Sequence, residues 1–394
     1  MSAHSQARPL GGRILTPFLV VLLGLAAIAG ALVVYRLFAG VGSITALTDH
    51  YSWGIWKPIN VVTFTGIGAG AYAVGLLTYV LNQGKYHPLV RPAVLVGAIG
   101  YSLGGASVMI DLGRWWGSVF LFFPPWYNFN SILLEVALCV LTYVGVLWVE
   151  VTPAILEQWG EAGSPRLKRI AAAVQPRLRV ALPFIIALAM LLPTMHQSSL
   201  GSLYLMAPTK VHPLWFTGWL PGLFLISCLT MGFGSVTAVD IVAGTALPGR
   251  YRTQMHLLGD LGRVAGWVSL AYVALRLGDL AVSGRLRHAF APSPQVACFW
   301  VEILLFGGSG LMFLSRRVRS DRGRLLTAAI LALLAGAMYR IDTYLVAYDG
   351  GPGARYFPSL GEILVTLGLA SLGVAAYLLI ARKLPIFDTG ENHP

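Results

Sequence analysis

The chain has 394 residues, of which 56% are hydrophobic and only 11% charged, with a mean hydropathy of +0.71. So little polar surface excludes a water-soluble globule and makes the bilayer the solvent. A formal net charge of +12 would suggest nucleic acid in a soluble protein. Here the basic residues sit in short connections between apolar runs, where they orient helices, and no nucleic-acid partner is expected.

In chain order, apolar runs of about 18–26 residues are long enough to cross roughly 30 Å of hydrocarbon at about 1.5 Å per residue. They lie at 15–38, 58–82, 93–113, 131–151, 178–196, 219–241, 257–280, 296–315, 324–346 and 360–381. This predicts an all-α integral membrane protein of ten spans, with one polytopic domain at 15–384 and tails at 1–14 and 385–394. The first run is too long for a cleavable signal peptide and is followed by Tyr35, Arg36, Leu37 and Phe38, so it is expected to stay as a helix. Placing the termini and alternate connections in the cytoplasm gathers Arg8, Arg13, Lys85, Arg91, Arg166, Lys168, Arg169, Arg177, Arg179, Arg250, Arg252, Arg316, Arg317, Arg319, Arg322, Arg324, Arg382 and Lys383 on one side. The connections on the other side keep Lys57, Lys210, Arg285, Arg287 and Arg355. The positive-inside bias therefore predicts that both termini are cytoplasmic.

The outer connections are richer in polar and aromatic side chains. Residues 49–56 carry Trp53 and Trp56, 111–130 carry Asp111, Arg114, Asn128 and Asn130, and 194–202 carry His196. Trp and Tyr at a membrane boundary are usually belt residues, but their mixture with His, Asn, Gln and Ser suggests a site. The basic connections, by contrast, read as topology anchors.

An ionisable group near the bilayer centre costs roughly 3 kcal/mol or more and tends to persist only with a partner or a task. Asp111 and Arg114, three apart, are expected to pair on one helical face, and Arg276 with Asp279 repeats the spacing. Glu302, Arg340, Asp342 and Glu362 lie in later spans, and Asp240, Asp260 and Arg263 lie toward the cytoplasmic side. Glu135 has no opposite charge near it in sequence and reads as a proton-handling residue. Cys139, Cys228 and Cys298 are isolated in apolar runs and read as small core residues, with no zinc or iron–sulfur ligand set. The histidines, His4, His50, His87, His196, His212, His256, His288 and His393, all fall in tails, loops or helix ends, so no bis-histidine haem is expected. No phosphate-binding or metalloprotease motif is present. Gly66, Gly68, Gly70, Gly104 and Gly105 fit close helix packing. A chain without its own redox metal can still stand in an electron pathway if it binds a diffusible lipid-soluble carrier, and quinone fits that description.

Residues 52–56 (Ser-Trp-Gly-Ile-Trp), 84–92, 100–105 (Gly-Tyr-Ser-Leu-Gly-Gly), 129–135 and 192–203 closely resemble the HybB-type membrane subunits of nickel–iron hydrogenase-2, within the wider NrfD/PsrC family of quinone-interacting anchors. The resemblance runs from Pro9 to Pro385. It implies two four-helix bundles, at about 58–196 and 219–346, flanked by the helices at 15–38 and 360–381, in a bacterial inner membrane. It also implies a menaquinone or ubiquinone site near the outer face, no haem or cluster in this chain, and electrons passing through a ferredoxin-like iron–sulfur subunit from the hydrogenase small and large subunits on the periplasmic side. Glu135 matches a family glutamate associated with proton transfer, and Tyr101 falls in the matching glycine-rich segment.

The expected site therefore has Trp53 and Trp56 lining the quinone ring, and Asn128, Asn130 or His196 donating hydrogen bonds to it. Glu135, helped by Tyr101 and the Asp111 and Arg114 pair, would exchange protons, with no metal ligands. Competing readings are an anchor for another periplasmic oxidoreductase, of polysulfide or nitrite reductase type, a passive anchor, and a secondary transporter with helices broken at Pro183, Pro193 and Pro221.

Overall fold

The computed structural model describes residues 7–13, 15–246 and 251–388. Ten of its helices are long and apolar enough to cross a membrane: α1 Pro17–Ala39, α2 Lys57–Val80, α3 Gly84–Asp111, α4 Ile132–Ala162, α5 Pro165–Met206, α6 Leu220–Thr245, α7 Met255–Val282, α8 Pro294–Leu314, α9 Arg322–Val346 and α10 Leu360–Lys383. The chain is a multi-pass integral membrane protein. Oxygen-bearing side chains cap several helix starts: Thr16, Ser131, Ser293, Asp321 and Ser359 each accept a backbone N–H, and Ser359 with Glu362 completes a capping box. The helices α2 and α9 depart from α geometry at Lys57–Thr63, Leu76–Val80 and Asp342–Val346, where the turns are π-helical, a feature that often marks functional positions.

The helices α2 to α5 pack in succession, as do α6 to α9, with α9 closing back onto α6. The two groups meet where α6 lies against α2 and α5, while α1 packs on α10, which in turn touches α3. The outer surface of α1 is formed by Phe18, Val20, Val21 and Val34, all exposed, as a lipid-facing helix requires. The chain ends meet on the basic face. Ala7–Arg8 pairs antiparallel with Phe387–Asp388, and Leu10 N–H donates to the Ala381 carbonyl, so the two expected tails form a small joint structure. An even number of spans requires the ends to share a face, and the strand pairing shows that they do.

Two boundaries differ from the hydropathy reading. The fourth span continues past 151 to Ala162 and the fifth begins at Pro165 rather than 178, because these extensions are polar on one side and escape a hydropathy window while remaining helical. Pro183 and Pro193, expected as breaks, lie inside the continuous helix α5, and Pro221 sits in the first turn of α6. Transmembrane helices tolerate proline because neighbouring groups satisfy the carbonyl it frees.

The apolar interior divides by depth rather than by helix group. One cluster, with Leu95, Leu147, Leu258 and Ala328, occupies the half toward the basic face. A second, with Trp215, Phe224, Tyr272 and Phe299, occupies the opposite half. Between them α2 crosses α6 at backbone contact. A methyl group on Gly70 would strike the Cys228 carbonyl, and one on Gly232 would strike the Gly70 backbone. Only glycine allows this approach. Gly232→Val is expected to destabilise the protein by about 1–3 kcal/mol through overpacking, read as a lower unfolding midpoint in detergent. Gly24→Val, whose added carbon meets nothing within 4 Å, leaves the midpoint unchanged. Equal midpoints for the two variants would refute the crossing as a stabilising contact.

Candidate functional site

A layer of buried polar side chains lies at the seam between the two apolar clusters. Five helices contribute: Thr65 from α2, Tyr101 from α3, His196 and Gln197 from α5, Ser227 and Cys228 from α6, and Arg340 from α9. The Tyr101 hydroxyl is 3.2 Å from His196 Nδ1, and Gln197 Nε2 is 3.3 Å from the same atom and 3.1 Å from Thr65 Oγ1. An amide nitrogen only donates, so Nδ1 is the acceptor and the ring hydrogen sits on Nε2. His196 Nε2 is buried and has no hydrogen-bond partner among the described residues. On the other side of Gln197, the Cys228 thiol donates to Oε1 at 3.2 Å, and Arg340 Nη2 donates to Cys228 Sγ at 3.0 Å. Arg340 also donates to Ser227 Oγ and to the Val62 and Gly336 carbonyls. Among the described residues it forms no ion pair.

This layer corrects two readings of the sequence. His196 does not end a helix: α5 runs on beyond it, and the ring is 1% exposed inside the protein. Cys228 is more than a small core residue, since it links the amide of Gln197 to the guanidinium of Arg340. Gln197, Thr65 and Ser227 were not singled out from the sequence. The polar run 194–202 inside an apolar span was the signal for the first of them.

Toward the face opposite the basic one, Ser199 lies one turn beyond His196 on α5 and donates to Glu135 Oε1 at 2.8 Å. Glu135 is in the first turn of α4 and exposed at that depth. The other expected residues scatter. Asp111 pairs with Lys57 Nζ at 2.5 Å, not with Arg114, which is exposed beyond the end of α3 because the helix stops at Asp111 and the i, i+3 geometry is lost. Trp53 packs on Tyr204 and Tyr344, with ring centroids 6.0 and 5.7 Å away. Trp56 is buried against α10 and donates to the Glu362 carbonyl at 3.0 Å. Asn128 and Asn130 are exposed and bond one another in the turn before α4. Tyr101, His196 and the Glu135–Ser199 pair are therefore brought together, while the tryptophans and asparagines are not.

Arg276 and Asp279 are likewise not paired: Arg276 meets Glu302 on α8 at 3.4 Å, and Asp279 meets Arg285 at 3.5 Å. Toward the basic face Asp260 pairs with Lys85 at 2.6 Å, and buried Asp240 accepts from the Tyr251 hydroxyl. Burial and the neighbouring Asp240 carboxylate push the Tyr251 hydroxyl far above its ordinary range. A cavity of about 390 Å³ lies on the other side of α3, bounded by residues including Phe64, Leu103, Val239 and Val374. Its apolar lining suits a hydrocarbon chain and includes none of the hydrogen-bonded layer.

Residues 43–348 match the family model described as polysulphide reductase, NrfD. The chain belongs to the NrfD family. This NrfD-family protein is 37% identical over 380 residues to the probable Ni/Fe-hydrogenase 2 b-type cytochrome subunit of Escherichia coli, covering 96% of this chain and 94% of that one. It is 30% identical over 92% of each chain to a protein of Nitratidesulfovibrio vulgaris. To the integral membrane subunit of menaquinone reductase from the same organism it is 28% identical, over 64% of this chain and 59% of that one. The first and the last of these relatives are named as subunits of redox enzymes, the last as an integral membrane subunit.

The polar layer makes a direct stability prediction. Arg340→Met removes donors from groups with little access to water and is expected to cost about 1–3 kcal/mol, seen as a lower thermal midpoint, with Arg340→Lys recovering part of the loss. A midpoint unmoved by Arg340→Met would refute the layer's structural role.

Proposed function

We propose that this chain is the quinone-reactive membrane subunit of a hydrogen-oxidising nickel–iron hydrogenase, exchanging electrons with an iron–sulfur, ferredoxin-like partner docked on the face opposite the basic one. The observation that carries the reading is Glu135. A carboxyl exposed one helical turn inside a membrane face is costly in hydrocarbon unless something polar meets it, and a lipid-soluble carrier arriving sideways through the bilayer would do so. One turn behind it, past Ser199, stands His196, whose Nε2–H has no partner among the described residues. A buried donor without an acceptor is unusual, and a quinone carbonyl oxygen is an acceptor of the right kind.

The extent of similarity to the E. coli hydrogenase subunit, nearly the whole of both chains, favours the hydrogenase type over other redox partners. When bound, menaquinone or ubiquinone would supply two-electron chemistry that also needs two protons. In this reading Glu135 moves a proton between the site and the outer surface, and Ser199 holds its Oε1 in place. Tyr101 and Gln197 fix the His196 tautomer so that Nε2 keeps its hydrogen. Arg340, uncompensated by any ion pair among the described residues, makes the layer electropositive, which favours a group gaining electron density.

Glu135→Gln keeps the shape and removes the exchangeable proton. In the intact complex it is expected to lower hydrogen-dependent quinone reduction by about a hundredfold, while dye reduction by the extrinsic subunits is unchanged. Wild-type quinone reduction in a fully assembled Glu135→Gln complex would remove Glu135 from the mechanism.

A further inference from the structure

A second group of charged side chains lies in the helices α7 to α9, apart from the layer described above. Arg276, Glu302 and Asp342 are each fully buried, at 0% exposure. Glu302 is held on every side. Tyr272 donates to Oε1 at 2.7 Å, Trp215 Nε1 donates to Oε2 at 2.9 Å, and Arg276 Nε lies 3.4 Å from Oε1. Asp342 opens the π-helical turn of α9, which packs against α8, the helix of Glu302, and the two carboxyls interact there. Among the described residues, neither Asp342 oxygen receives a hydrogen bond and neither terminal nitrogen of Arg276 gives one. The other titratable groups facing the cluster are Tyr272 on α7, Cys298 on α8 and Tyr339 on α9.

Charge and hydrogen-bond accounting leave one satisfactory arrangement. Two adjacent carboxylates against a single guanidinium would leave a net negative charge in an apolar interior, with Asp342 facing a like charge and lacking any donor. One proton removes the difficulty. Glu302 already accepts three donors, as an anion does, so the proton belongs on Asp342, whose O–H then donates to Glu302 and whose neighbour balances Arg276. The cluster becomes neutral and the carboxyl pair satisfied.

We infer that Glu302 and Asp342 form a proton-binding site that holds one shared proton beside Arg276. Asp342 stands two residues after Arg340 on α9, so the same helix end carries the guanidinium of the first layer and the acid of the second. Uptake or release is a plain acid–base step: the Asp342 O–H bond breaks or forms, and the proton passes to or from water.

The test is infrared spectroscopy of the intact membrane complex. A protonated carboxyl gives a C=O stretch above the amide band that shifts in heavy water, and the difference between wild type and Asp342→Asn should contain that band as a loss in the variant. Wild-type protein grown with carbon-13 carboxyl-labelled aspartate provides a check that needs no variant: a band in this region should move with the aspartate label and not with labelled glutamate. Identical wild-type and Asp342→Asn spectra in a folded complex would overturn the inference. So would the absence of any band that responds to the aspartate label.

Discussion

A guanidinium keeps its proton in any protein environment, and in the interior of a bilayer nothing but protein can solvate it. Arg340 is buried completely, so α2, α6 and α9 must bring it the Val62 and Gly336 carbonyls, the Ser227 hydroxyl and the Cys228 thiol. That demand explains the glycines around it. A methyl on Gly66 would collide with the Arg340 side chain, and one on Gly336 would collide with Met231. Gly70 and Gly232 let α2 and α6 touch so that both can reach the same cation. From Cys228 the bonding passes to Gln197, His196 and Tyr101, which sets the His196 tautomer.

The division of the apolar core by depth gives this layer its chemical character. Hydrocarbon-like packing above and below excludes water, which strengthens each hydrogen bond and the influence of the positive charge. On the side of Glu135 an exposed titratable group, bonded to Ser199, stands within one turn of the layer. A site that is dry within and open sideways suits a reactant dissolved in lipid. The cavity between α2, α3, α6 and α10 has the opposite character, apolar throughout most of its lining and bounded by none of the hydrogen-bonded layer.

The ten spans were legible because length and hydropathy are properties of single segments, and the bilayer imposes one thickness on all of them. Pairing was not legible. Asp111 with Lys57 and Arg276 with Glu302 join different helices, whereas sequence spacing offers only partners on the same one. Glu135 stood out because a carboxyl is rare inside a span, and His196 because it lies in a polar run at the outer end of one. Trp53, Trp56, Asn128 and Asn130 stood out by position near the outer face, yet their side chains are engaged in packing, capping and turn contacts away from His196. Gln197 and Cys228 acquire meaning only through the crossing of α5 with α6, which no local pattern announces.

The measurement that bears most directly on this account is photo-crosslinking of the intact complex with a ring-substituted azidoquinone, with labelled positions identified by mass spectrometry. The account requires labels on the outer turns of α4 and α5, around Glu135, Ser199 and His196, and their suppression by excess unlabelled quinone. Specific labelling confined to α7 and α8, or to the apolar cavity near the basic face, would contradict it.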